Sequence, residues 1–170
     1  MDCQWTRYFS FANGKYSYKD RAVVTLPHDL PMPPTKTLAR MFHNCRNLQD
    51  ISALAKWDVS EVENMDGLFN CCMQLQDLTP IADWDTSKVR SMEHMFNFCA
   101  KLQDLGPIAN WNITMVTSMK HMFQNCKTLQ DLSPITYWHP LSLVKTDKMF
   151  FGSTELYDFS PIAKWNVNFS

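Results

Sequence analysis

Apolar and polar positions along this chain recur every 27 residues. Tryptophan falls at Trp57, Trp84, Trp111, Trp138 and Trp165. A Met/Leu-Phe pair keeps the same step at Met41-Phe42, Leu68-Phe69, Met95-Phe96, Met122-Phe123 and Met149-Phe150. Leucine occupies 48, 75, 102, 129 and 156, and a second aliphatic row runs through Leu54, Ile81, Ile108, Ile135 and Ile162. A period of this length marks stacked repeats, in which each unit buries its apolar face only against its neighbours.

Within one unit, Val89, Met92, Met95, Phe96 and Cys99 are spaced 3, 3, 1 and 3, which predicts one face of a helix. Ser87 or Ser91 is the expected cap at its start, and Ser60 with Glu63 forms a capping-box pattern one unit earlier. The L-Q-D-L/I stretch ends in Ser-Pro or Gly-Pro at 106–107, 133–134 and 160–161, and predicts a short extended segment stopped by proline. The expected fold class is therefore an α+β repeat solenoid, leucine-rich-repeat-like, with a 27-residue period and one short strand and one short helix per turn. Residues 36–170 make four to five such repeats.

One polar row has no exception: Asp50, Asp77, Asp104, Asp131 and Asp158. Stacked carboxylates repel unless each has local donors, so the row predicts turns in which the following backbone N–H groups hold the side chain. Gln49, Gln76, Gln103 and Gln130 suit an amide ladder.

Residues 1–35 do not repeat. Asn13-Gly14 predicts a two-residue hairpin loop, pairing Phe11 with Tyr16, Phe9 with Tyr18 and Arg7 with Asp20, and Ala22 to Leu26 reads as a continuation of the strand. This aromatic hairpin and the Pro-rich connection after it are the expected N-terminal cap. At the other end Pro140, Thr146 and Gly152-Ser153 depart from the rows, and no polar cap is visible. Either the last turn closes itself irregularly, or a partner or a second copy covers that edge.

Composition narrows the function classes. Hydrophobic residues make up 45% of the 170, and the formal net charge is −1 with no run of like charge. Nothing favours nucleic acid, and no apolar stretch is long enough for membrane insertion. Cys45, Cys72, Cys99 and Cys126 share one row, where equivalent side chains point the same way, so they read as reduced, buried thiols. Free thiols and the lack of a visible signal peptide place the chain inside a cell or within an assembled particle; with a leader removed, an extracellular surface stays open. His94 and His121 share a row but lack further ligands, and no phosphate loop, G-x-S-x-G or H-E-x-x-H occurs. Neither a catalytic residue, a metal nor a cofactor is expected, and the chain is not read as an enzyme.

The stretches W-D-V-S-E-V-E-N-M (57–65), W-D-T-S-K-V-R-S-M (84–92) and M-F-N-F-C (95–99) resemble the BspA-like leucine-rich repeat family, with its W-D-T-S-x-V-x-x-M-x-x-M-F-x-x-C runs. The resemblance covers roughly 36–170, and implies a right-handed solenoid with roles in adhesion or protein binding. The expected function is thus a protein-protein interaction module. The alternative is a building block of a larger assembly, such as a virion or cell-surface layer, docked through its ends. Apolar residues at variable positions are the expected partner contacts: Phe98, Met115, Tyr137 and Phe151, with Trp165 and Phe169 at the C-terminal end.

Overall fold

The computed structural model describes residues 4–142 and 145–165. Its only sheet among these residues is an antiparallel hairpin, β1 (Phe9–Ala12) and β2 (Lys15–Tyr18), with Phe9 opposite Tyr18 and Phe11 opposite Tyr16. Asn13 and Gly14 both take positive φ, 52° and 73°, as a tight hairpin turn of matching twist requires. The ladder stops at Phe9–Tyr18. Arg7 belongs to a 3-10 turn and lies over the Tyr8 ring, so it does not extend the pairing to Asp20. Ala22 to Leu26 is not a strand either; only Thr25 bridges, to Asp50.

The expected α+β solenoid, with a strand and a helix in every turn and a right-handed leucine-rich-repeat course, is overturned. The described residues hold no α-helix and no strand outside the hairpin. Helical structure is limited to short 3-10 segments, the longest being the six residues Ser160–Trp165, and most of the chain is turns.

The reason the helix fails is local. Two residues in each unit, four apart, adopt left-handed φ: Arg40, Gly67, His94, His121 and Lys148 in one row, and Asn44, Cys71, Phe98, Asn125 and Gly152 in the other. A left-handed residue ends an α-helix, and for a non-glycine it costs about 1–2 kcal/mol. What offsets that cost is visible in the backbone. The N–H groups of Met92, His94, Phe96 and Phe98 donate to the carbonyls of Ser118, Lys120, Met122 and Gln124, in the next unit. An α-helix would have spent the same groups four residues back in its own chain. The 3-3-1-3 spacing still buries Val89, Met92, Met95, Phe96 and Cys99, because consecutive turns put them on one side just as a helix would.

The strand fails for a different reason. Each aspartate of the uniform row accepts the N–H two residues on, as Asp77 does from Thr79 at 2.8 Å and Asp104 from Gly106 at 2.7 Å. The chain is turned at once, and proline then sits at the first positions of a 3-10 segment, at Thr79–Ile81, Gly106–Ile108 and Ser133–Ile135. A second turn of the same kind follows the tryptophan, where Asp58 and Asp85 hold the N–H groups of Ser60 and Ser87. Those serines are turn residues, not helix caps. The glutamine side chains are exposed, and no hydrogen bond links them among the described residues.

Residues 27 apart nonetheless lie side by side. Single parallel bridges join Thr37 to Asn64, Asn64 to Ser91, Ser91 to Ser118 and Ser118 to Lys145. Phe42, Phe69, Phe96, Phe123 and Phe150 stack with centroids 5.7–5.8 Å apart. Cys72, Cys99 and Cys126 donate their thiols to the carbonyls of Phe42, Phe69 and Phe96, and all are unpaired with other cysteines. Burial pushes the Cys72 and Cys99 thiols well above their ordinary pKa, so they stay protonated donors. Four buried indoles are anchored as well: Trp57, Trp84, Trp111 and Trp138 donate Nε1–H to the carbonyls of Leu30, Leu54, Ile81 and Ile108.

Candidate functional site

Exposure of large apolar side chains separates one part of the molecule from the rest. Phe98 and Met115 are 39% and 42% exposed, while Tyr137 is 79% exposed and Phe151 also stands in solvent. Trp165 does not share that surface: it is 6% exposed and stacks on Trp138 at 5.9 Å. Phe169 lies outside the described residues. No ring contact joins Phe98, Tyr137 and Phe151 among the described residues.

Leu141, Tyr157 and Phe159 add apolar surface near the end of the described residues. Leu141 is 82% exposed, Tyr157 is fully in solvent on its outer side, and Phe159 is half-exposed. The sequence carried a signal for Leu141, Tyr157 and Tyr137, whereas Phe159 stands in the apolar row of Ile51, Leu78, Leu105 and Leu132, which predicts burial. Leu141 stands where the earlier units have Ser60, Ser87 and Thr114, Tyr157 stands in the glutamine row, and Tyr137 follows Lys56, Asp83 and Asn110. A polar row that turns apolar in one member is more telling than an apolar residue in a variable row.

Leu141 also has a local cause. In the earlier units Asp58, Asp85 and Asn112 hold the N–H of the residue two positions on. In the fourth unit this pair is His139 and Leu141, and the only hydrogen bond between them runs backbone to backbone, from the Leu141 N–H to the His139 carbonyl at 2.9 Å. Beside it opens a cleft of about 200 Å³, floored by Trp138 and Trp165, walled by Pro140 and Leu141, and edged by Thr136, His139 and Lys164. An apolar floor with a few polar edges suits capture of an apolar side chain. The cleft offers no nucleophile paired with a base.

No helix among the described residues is long and apolar enough to cross a membrane. Neither a curated protein nor a solved structure matches the chain. A family model does match, over residues 36–165, the whole of the described repeating region. The chain therefore belongs to the family described as "Mycoplasma protein of unknown function, DUF285".

Proposed function

We propose that the protein is a non-enzymatic interaction module that binds a partner protein at the cleft floored by Trp138 and Trp165. The observation that carries this reading is the change of polar rows to exposed Tyr137 and Leu141 beside an apolar cleft. Aromatic and aliphatic anchors at a desolvated centre supply most of the affinity of such contacts. The partner would insert an apolar side chain over the indoles and present acidic groups to Lys164 and His139. The resemblance of the W-D-T-S runs to BspA-like leucine-rich repeats supports a binding role and adds no catalytic residue. The free thiols favour a reducing interior or an enclosed particle.

The test is affinity capture from the native source with the wild-type chain and with Leu141→Ser and Tyr137→Ala, followed by mass spectrometry. Both substitutions are at exposed positions and should leave the melting temperature unchanged. A protein captured by the wild type and lost with both variants is the expected result; equal capture by all three removes the proposal.

Exposed Tyr157 and Phe159 near the end of the described residues favour a second reading, an assembly block docked through its ends. Sedimentation velocity separates the two. Concentration-dependent association abolished by Phe159→Ser supports assembly, and a concentration-independent monomer discards it.

A further inference from the structure

The left-handed row at positions 40, 67, 94, 121 and 148 reads Arg, Gly, His, His, Lys. His94 and His121 stack their imidazoles at 4.4 Å with planes 12° apart. The next place in the row is Gly67, which has no side chain, and beyond it stands Arg40. One face of His94 is thus covered by His121, and the other looks toward the place Gly67 leaves empty. That gap opens into a cavity of about 330 Å³ whose edges include Lys15 of the hairpin.

The groups around the gap divide by role. Lys15 and Arg40 line it, and neither joins an ion pair among the described residues. Asn70 accepts the Cys71 thiol through its oxygen, which leaves its amide N–H groups for the cavity. Asp66 and Glu93 also line it, and hydrogen bonds from neighbouring groups hold them in place. Asp66 accepts from Ser91, from the Glu93 N–H at 2.9 Å and from Asn64 at 2.9 Å, and Glu93 accepts from Ser118 at 2.6 Å. These partners are all neutral, so neither carboxylate is taken up in an ion pair among the described residues, and both have spare lone pairs. The Asn97 amide nitrogen lies 3.3 Å from His94 Nδ1; as the donor it leaves the ring proton on Nε2 and the imidazole neutral. Burial, and then neighbouring His121, hold His94 below the ordinary histidine pKa in agreement with that state.

A neutral, oriented ring with one free face stacks on another planar ring, and the repeat spacing leaves room for one. The two cations, free of ion pairs among the described residues, ask for an anion, while the fixed carboxylates ask for N–H donors. We propose that the Gly67 gap is a binding site for a planar heteroaromatic ring with an anionic substituent. The ring stacks on His94, its N–H edge meets Asp66 and Glu93, and the anion is held by Lys15 and Arg40. A purine nucleoside monophosphate with N–H donors on the base has this chemistry.

The experiment is calorimetric or NMR titration with guanosine 5′-monophosphate, guanosine and ribose 5-phosphate. The monophosphate should bind saturably, and the two halves should each bind at least about tenfold more weakly, because each lacks one set of contacts. Gly67→His fills the gap with the residue that the same row carries at 94 and 121, at the same backbone φ, and should abolish binding. Only the flexible Arg40 stem, 3.3 Å from the new Cβ, has to move. Arg40→Gln should bring the monophosphate down to the affinity of guanosine while leaving guanosine unchanged; it also serves if the histidine variant fails to fold. Absence of saturable binding at about 10 mM monophosphate, equal binding of ribose 5-phosphate, or full binding by a folded Gly67→His protein each overturns the site.

Discussion

The two ends of the repeating region meet solvent in opposite ways. At the amino end the hairpin lies against the first unit: Phe9 contacts Trp57, Tyr18 contacts Phe42, and the Tyr18 N–H donates to the Met41 carbonyl at 2.8 Å. Arg21 adds its guanidinium to the carbonyls of Met41 and His43. Desolvation, with Asp20 second, raises the Tyr18 phenol to about 12, a mark of how closely that ring is covered. At the carboxy end of the described residues, cover is partial. Phe159 stands edge-on to Phe150 at 5.8 Å and remains 43% exposed. The same aromatic stack is thus closed by a dedicated element on one side and by a single ring on the other. A repeat can supply every internal contact from one pattern, whereas its ends need residues that break the pattern, and those residues are where partners become possible.

The largest effects should follow this contrast. Phe42→Ala removes a fully buried ring held between Tyr18 and Phe69, and should cost about 3–5 kcal/mol in urea unfolding. Phe159→Ala removes a half-exposed ring from the other end and should cost about 1 kcal/mol or less. Comparable losses at both ends would mean that the carboxy edge is as well covered as the amino edge, and the contrast would be gone.

Cys126→Ser tests an internal contact common to the units. The fifth member of the cysteine row is Ser153, whose hydroxyl donates to the Phe123 carbonyl at 2.8 Å, as the Cys126 thiol does to Phe96 at 3.2 Å. The hydroxyl can therefore keep the hydrogen bond, and the loss should be about 1 kcal/mol, from the smaller apolar volume at a buried site. Ser153→Cys near the open end should stay within about 0.5 kcal/mol of the wild type. A larger cost at 153 than at 126 would show that the last member is more tightly packed than its neighbours.

Much of this was legible in the sequence, in a particular sense. The rows identified which residues are buried, the Asn13-Gly14 turn and the register of Phe9 and Phe11 were readable from local chemistry, and the aspartate row announced its own turns. The backbone course was not readable. A spacing of 3, 3, 1 and 3 is met both by an α-helix and by consecutive turns, and what decides is the left-handed φ at residues such as Arg40, His94 and Phe98. Asn44, Gly67, Asn125 and Gly152 suit that conformation, but arginine and phenylalanine carry no local preference for it; at Arg40 and Phe98 bonds to the next unit impose it, so the signal is only scattered along the rows. The site was legible only in part for a related reason. Phe98 and Met115 looked exposed and are, but the cleft over Trp138 and Trp165 depends on Leu141 occupying a serine row, a difference between units and not a property of one residue.

The smallest effect expected is in the pH dependence of stability, and it again distinguishes the amino end. Burial first, then Arg40 and Arg21, hold the His43 imidazole below its ordinary value of 6.5, and no partner meets its buried Nδ1 among the described residues. His94 is lowered in the same direction. In this case the unfolded chain binds more protons than the folded one below about pH 6.5, so stability is fully present above that pH and declines as pH falls toward the lowered folded values. Aspartates such as Asp77 and Asp131, held by the N–H and hydroxyl groups of Thr79 and Ser133, are shifted down; their contribution is fully present above the ordinary carboxylate pKa and is lost as pH falls through the lowered folded values. His43→Asn places at 43 the residue that this row carries at 70 and 97, where the unit tolerates it. Urea midpoints measured between pH 7.5 and 5 (about one unit either side of the histidine range) should fall less steeply for this variant than for the wild type, with the remainder owed to His94. An unchanged slope would show that Arg21 and Arg40 do not act on His43, and that the hairpin covers the amino end without placing its charge against it.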